Sequence, residues 1–546
     1  MNAIPPAKTL ARTAVLDAAH VGDIHGALGS IRRRGHGNRR GPLHRLRTLL
    51  AIVGPGLIVM VGDNDAGAFA TYTQAGQNYG TTLMWTLLLL VPVLYVNQEM
   101  VLRLGAVTGV GHARLILERF GRFWGAFSVI DLFILNGLTI VTEFIGISLA
   151  LDQLGVSRGW GVAVAAVLTI IAAGTGDFRR FERFAMMLVL GSLLLIPVFV
   201  AIHPPLGQVA HDFLVPQMPG GKLSDVMLLI IAIVGTTVAP WQLFFQQSYV
   251  IDKRITPRFI PYEKIDLWLG IVIVILGAVA MVGFAAATFA GTPEAGAFTD
   301  AGGVAAGLGR YVGHVPQVLF AIALLDASII GTAAVSLSTA YAVGDVLSLR
   351  HSLHRKPGEA KAFYVVYAGV IAVSAALVLV PGAPLGLITV GVQTLAGVLL
   401  PSATVFLLLL CNDRAVLGPW VNGAWLNLFT SAVIAVLVLL SLILTAAVLF
   451  PDLSEAQILA ILGGGGGLAA VGLAVQAVAG WRQSRTPEPR LSRARRAAWR
   501  MPALDLLPPA RLGGAGRIWL LALWAYLALA CAMVVLRVVQ VAIGGG

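Results

Sequence analysis

Thirteen stretches of about 20 or more mostly apolar residues recur along the 546-residue chain, and that recurrence leaves little choice of fold. A helix rises about 1.5 Å per residue, so about 20 residues cross a hydrocarbon core of ~30 Å. The stretches fall near 49–75, 81–102, 123–150, 156–175, 184–202, 225–250, 265–290, 315–349, 362–381, 385–411, 421–450, 457–480 and 517–541. Spans of this length inside lipid must satisfy their own backbone amides, which helices do. Composition agrees: 58% of residues are hydrophobic and only 12% are charged, with a mean hydropathy of +0.85. Soluble domains carry about 25% charged residues. A soluble enzyme, a disordered scaffold and a disulfide-framed secreted protein are therefore excluded. Cys411 and Cys531 lie in apolar stretches, outside any CxxC or Cys/His cluster. The expected fold is an all-α polytopic membrane protein.

Charge sets the expected orientation. With the N-terminus in the cytoplasm, 34 of the 38 Lys and Arg residues fall on inner segments; Arg158, Lys222, Arg310 and Arg537 fall outside. This is the positive-inside distribution of a bacterial-type plasma membrane protein. It accounts for the net charge of +12 without a nucleic-acid partner. Residues 1–48 read as a basic, disordered cytoplasmic tail and 482–516 as a basic cytoplasmic linker rich in proline. The lipid bilayer is the one macroscopic partner implied, and oligomeric state is left open. The third and eighth spans are long enough to tilt or to extend beyond the bilayer. The glycine run 463–467 in the twelfth reads as close helix packing or a weak helix.

Acids at membrane depth cost roughly 2.5–3.5 kcal/mol each on insertion scales, so each needs a reason. Glu99 and Asp131 lie near inner span ends, where water is in reach, and Asp326 lies closer to the middle of its span. The first span, AIVGPGLIVMVGDNDAGAFATYTQAG, holds Asp63 and Asp65 two positions apart. On a continuous helix these would point to different faces. An unwound stretch around Asp65–Gly67 frees carbonyls and lets a carboxylate enter a cavity, the setting in which irregular backbone is tolerated in a membrane. The sixth span repeats the device: Pro240 follows Gly235, Thr236 and Thr237 and precedes Gln242, Gln246 and Gln247. Breaks in spans one and six predict an inverted repeat of five plus five helices, 49–202 and 225–411, with a substrate site between the breaks. Spans at 421–480 and 517–541 are additional.

The groups offered at the breaks are carboxylates, amides, hydroxyls and freed carbonyls, with no His, Cys or Met. Hard oxygen ligands suit Mg²⁺, Ca²⁺ and Mn²⁺. A polar, roomy surround suits a partly hydrated ion. The same architecture leaves Na⁺-coupled organic-solute transport open. A membrane enzyme would need a Ser/His or Cys/His pair at matched depth, and the sequence offers none.

Several segments together resemble the NRAMP divalent-metal transporters. GPGLIVMVGDNDAGAFAT (54–71) is similar to the family's first helix, with its D-P-G-N and F-A-T motifs. QAGQNYGTTLMW (74–85), RLGAVTG (103–109), TEFIG (142–146), APWQ (239–242) and LLLLCNDRAVLG (407–418) continue the likeness over roughly residues 45–450. The resemblance implies a LeuT-like fold of about eleven core spans within the thirteen. It places Asp65 on the motif Asp, Ala68 on the motif Asn, Glu143 on the Glu of D-L-A-E-V-I-G, and Gln393 on a metal-facing Gln.

The departures decide which cargo the resemblance implies. The family's metal-binding Met falls on Ala239, the His after the motif proline on Trp241, and a proton-pathway acid on Ile140. These changes resemble the NRAMP-related magnesium transporters. The expected function is transport of Mg²⁺, with Mn²⁺ also accepted, by alternating access, without a resident cofactor. The expected ion site comprises Asp65, Asp63, Glu143, Gln242, Gln393 and the carbonyls near Ala68 and Ala239. Proton-coupled Mn²⁺/Fe²⁺ transport of the parent type is the alternative.

Overall fold

A computed structural model describes residues 18–32, 41–380, 385–450, 454–483, 492–510, 513–514 and 516–529. Apolar helices stand at all thirteen expected positions, but they are not all long enough to span. Among the described residues ten helices are long and apolar enough to cross a membrane, and the bent pair Pro42–Ile52 and Pro55–Val61 would make an eleventh. The fourth expected span is the 16-residue helix Arg158–Ala173. Of the thirteenth, only the part up to residue 529 is described. Helices three and eight, Arg122–Gln153 and His314–Val346, are 32 and 33 residues long. At about 1.5 Å per residue each exceeds the ~30 Å core, as their sequence lengths imply.

Packing pairs come in related couples. Span three lies along span eight. Span one packs on span seven (Ile260–Phe289), as span six packs on span two (Trp85–Thr108). Span ten (Leu385–Cys411) meets span three, as span five (Phe178–Ile202) meets span eight. Exchanging spans one to five with six to ten maps each contact onto its partner, the signature of an inverted repeat. This is the LeuT-like architecture.

The first span is interrupted twice. Between Ile52 and Pro55 the chain bends by 50° through Gly54, whose φ of +154° suits only glycine. A Cβ there would also strike the carboxylate of Glu182 and lie 2.8 Å from Nζ of Lys253. The second interruption separates Pro55–Val61 from Ala66–Tyr79. In it lie Asp63 and Asn64, whose side chains compete with the helical ladder, and Asp65, a favoured N-cap residue. In the sixth span Leu223–Thr237 stops, Val238 and Ala239 are non-helical, and Pro240 occupies the first position of the helix Pro240–Asp252. Proline is pre-organised for that position and gives up no ladder bond there.

Parts of the segments read as a disordered tail and as a linker are packed on the helices. Within the N-terminal tail, Ile24–Gly26 and Gly29–Ile31 form an antiparallel hairpin docked on the helices. Its strands are three residues long and carry no span-like pattern, so hydropathy alone passes over it. Residues 1–17 and 33–40 of the tail lie outside the described residues. Of the basic linker, 484–491 lies outside the described residues, while the part from Ser492 to Pro508 packs on the bundle. Trp499 covers Gly418, the amide of Met501 reaches the carbonyl of Val107, and Arg119 donates to the carbonyl of Pro508 at 2.7 Å. In the glycine run only Gly465 makes a close approach, to Leu439 of the helix Ala424–Leu449.

Candidate metal centre at the two helix breaks

Asp65 caps the helix Ala66–Tyr79, its Oδ1 accepting from the amide of Ala68 at 2.9 Å. An acid at a helix N-terminus is favoured by the unpaired amides and the dipole. Glu143, on span three, accepts from the amide of Ala66, the residue after Asp65, at 3.2 Å, which sets it beside the Asp65 carboxyl. Glu143 also presses on Gly331 of span eight, where a Cβ would sit 2.7 Å from its carboxyl carbon. On the other side of the break Gln242 donates to Asp63 Oδ1 and accepts from Gln98 of span two at 2.8 Å. Tyr72 and Thr237 join the two broken spans through their hydroxyls at 2.7 Å. Gln393 of span ten lies directly over Gly67, which leaves no room for a larger residue there.

The structure thus brings Asp63, Asp65, Glu143, Gln242 and Gln393 to one place, drawn from spans one, three, six and ten. All five are buried, and Asp63, Glu143 and Gln242 are fully so. Ala68 lies in the first helical turn, where carbonyls bond to amides four residues on. It therefore offers its N–H to Asp65 rather than a carbonyl to an ion. Ala239 stands extended at the sixth-span break, and its carbonyl accepts from the amide of Gln242 at 3.2 Å. Three contributors lie outside the ion site expected from sequence: Gln98, Tyr72 and Thr237. Thr237 stands at the sixth-span break itself, and the other two also leave a signal. Asn97, Gln98 and Glu99 interrupt an apolar span, and Tyr72 lies seven residues after Asp65, on the same helical face.

The donor set fits a cation. Asp63 Oδ2 and Glu143 Oε1 are buried acceptors without a hydrogen-bond partner, and Gln393 Nε2 is an unpartnered donor. Buried polar atoms are nearly always satisfied, by protein, water or an ion. No Lys or Arg pairs with Asp63, Asp65 or Glu143 among the described residues. Unpaired buried carboxylates are costly, so a positive charge at this place is what the protein lacks. Also among the described residues, no three or more His, Cys, Asp and Glu side chains converge as a tight cage. Amides and the ion's own waters would have to complete the shell. Glu99 and Asp131 fall elsewhere: Glu99 pairs with Arg103 and Lys264 at 3.0 Å each, and Asp131 lies 3.4 Å from Ser402. Asp326 packs on Gly191 of span five.

Comparison with known proteins places this geometry. A family model described as natural resistance-associated macrophage protein-like matches residues 56–447. The chain is 30% identical over 394 residues to the divalent metal cation transporter MntH of Ralstonia nicotianae, covering 69% of this chain and 86% of that one. It is 27% identical over 418 residues to MntH of Latilactobacillus sakei, covering 73% and 89%. Among solved structures, the manganese transporter of Eremococcus coleocola superposes with a TM-score of 0.60 at 20% identity, over 81% of this chain and 97% of that one, and so shares the fold. On its sequence match over residues 56–447, the chain belongs to the Nramp family.

Proposed function

We propose that this protein carries divalent metal cations across a bacterial plasma membrane, with Mg²⁺ as its principal cargo and Mn²⁺ also accepted. The observation that carries this reading is the set of three buried carboxyls, Asp63 and Asp65 in the first-span break and Glu143 on span three against it, without a basic partner among the described residues. The divalent charge follows from that acid count and from the names of the relatives, MntH, which are divalent metal cation transporters. The preference for Mg²⁺ rests on ligand softness. Neither break carries a thioether or thiolate, and the family's methionine position holds Ala239. A site of carboxylate and amide oxygens discriminates little against a hard ion that keeps several waters.

Asp65 is the central ligand, and Asp63 and Glu143 balance charge. Gln242 and Gln393 hold the water shell. The basic face lies in the cytoplasm, and the ion passes as the broken helices rock against spans three and eight. Ile140 stands where the family places an acid, so protons are not coupled through that position. A second reading, Mn²⁺ as the sole physiological cargo, is favoured by the manganese transporter that shares the fold. Uptake into liposomes of ²⁸Mg²⁺ and Mn²⁺ separates the two. The first reading requires Mg²⁺ uptake that Mn²⁺ inhibits; the second requires Mn²⁺ uptake that millimolar Mg²⁺ leaves unchanged.

A further inference from the structure

A buried polar stripe leads from the ion site toward the basic face. Gln242, Gln246, Tyr249 and Lys253 follow one another at steps of four, three and four along Pro240–Asp252 and its C-cap, so they share one helix face. Gln246 has neither amide atom partnered, and the Tyr249 hydroxyl is also unpartnered, although both side chains are fully buried. Glu263, at the start of span seven, has both carboxylate oxygens buried and unpartnered. Such a stripe needs water or an ion at some stage of the cycle. It ends at Lys253, whose Nζ donates to Glu182 at 2.6 Å and to the carbonyls of Ile52 and Val53 at 2.6 and 2.8 Å. This knot ties the ends of spans one, five and six together.

The N-terminal hairpin is fastened to that knot. The amide of Ala27, at its tip, donates to the second oxygen of Glu182, and Arg183 donates to the Ala27 carbonyl at 3.3 Å. Arg254, one residue after Lys253, donates to the carbonyls of Ala19 (2.7 and 3.0 Å) and Asp23 (2.7 Å). Gly26 and Gly29 lie against the backbone of Ala51, where a Cβ on Gly29 would sit 3.1 Å from Ala51 Cβ. One small element thus touches the three helix ends that meet at Lys253, those of spans one, five and six. It also precedes residue 56, where the family match begins.

We propose that residues 18–31 are a latch that closes the cytoplasmic end of the ion's release route, and that releasing the latch opens the stripe from Gln246 to Lys253. This rests on the transport reading above for the identity of the cargo, but not for the existence of the latch. Two substitutions address it without touching the ion site. Neither Ala27 nor Leu28 has a positive φ, which suits proline at the first central position of the two-residue turn; Ala27→Pro removes the N–H given to Glu182 and sets the ring Cδ where that hydrogen pointed, so it also pushes the carboxylate off the hairpin. Gly26→Val wedges the hairpin off Ala51.

The reporter is Gln246→Cys in a background with Cys411→Ala and Cys531→Ser. It is labelled by a membrane-impermeant thiol reagent from either side of oriented vesicles. Losing a hydrogen bond to a charged carboxylate shifts an opening equilibrium by about tenfold or more. Both hairpin variants should therefore speed labelling at position 246 by about tenfold from the basic side and leave it unchanged from the other. Unchanged labelling in both variants overturns the latch. Ala305→Cys, fully buried in the helix Ala301–Tyr311 at the opposite end, is the control. If the thiol at position 305 becomes reactive in the hairpin variants too, the hairpin is a folding element and the latch is overturned. Mg²⁺ and Mn²⁺ uptake by the same vesicles is scored separately. Faster labelling with no divalent uptake in the unsubstituted protein sinks the transport reading and leaves the latch standing.

Discussion

Replacing Lys253 with methionine removes the one cation from the knot at the base of the first span. Both Lys253 and Glu182 have side chains with 0% exposure. Nζ makes three hydrogen bonds of 2.6–2.8 Å, one to a carboxylate and two to carbonyls that the bend at Gly54 leaves outside the helix. Methionine keeps most of the stem's packing and none of the charge. Removing one member of a buried ion pair costs about 3–5 kcal/mol, because the partner stays charged without compensation. Here Glu182 would retain only the Ala27 amide among its bonds to Lys253 and the hairpin. Against a typical total stability of about 5–15 kcal/mol this is a large share. The purified protein in detergent should unfold several degrees lower, as followed by tryptophan fluorescence. The double variant Lys253→Met/Glu182→Gln should regain more than half of the loss, because an amide costs far less to bury than a lone carboxylate. A single variant as stable as the parent refutes the reasoning. So does a double variant that loses the sum of the two singles.

Three further outcomes follow from the geometry. Gly331→Ala puts a methyl 2.7–2.8 Å from the Glu143 carboxyl, so Glu143 should leave the Ala66 amide and the KM for divalent uptake should rise about tenfold, the effect of one charge-assisted hydrogen bond. Gln242→Leu strips Asp63 and Gln98 of their shared partner and should abolish uptake while surface expression of the protein persists, as read by transport and immunoblot in the same vesicles. In the loop after span eight, burial alone would keep His351 neutral, but the Asp345 carboxylate at 3.1 Å and the Leu349 carbonyl raise its pKa above the ordinary range. The stability this pair adds is complete below the unfolded His pKa of about 6.5 and is lost as pH rises through the higher folded value. His351→Gln should flatten the fall in thermal midpoint with rising pH. An unchanged slope contradicts the pairing.

Much of this was legible because lipid enforces simple rules. Apolar runs marked helix positions within a few residues, and Asp63, Asp65 and Pro240 marked the breaks because each violates the rules for a continuous buried helix. Membership of the site was legible only where a residue was out of place in its span. Gln98 is hidden in the sequence, since its neighbour Glu99 reads as an ordinary charge at a span end and its own role arises from Gln242, 144 positions away. The hairpin escaped for a different reason. Its strands are too short to show a period, and its holding groups, Ala51, Glu182 and Arg254, come from distant parts of the chain. The docked linker had a trace in Trp499 and Met501, two apolar side chains in a basic stretch, whose partners near Gly418 and Val107 only the fold reveals. The fourth span reads as 156–175 by hydropathy, twenty residues, but the helix is trimmed by two at each end, with Ser157 at its N-cap and Gly174 at its C-cap, and so falls short of a full crossing.

The most direct test of the central claim is isothermal titration of the purified protein with Mg²⁺ and Mn²⁺, with Asp65→Ala alongside. Asp65 contributes a carboxylate from the N-cap of the helix Ala66–Tyr79, facing Glu143 and two residues from Asp63. The expected result is binding of both ions to the parent protein and loss of both by Asp65→Ala, with the variant's thermal midpoint still cooperative. Undiminished binding of either ion to Asp65→Ala would contradict the assignment of the metal centre to the two helix breaks.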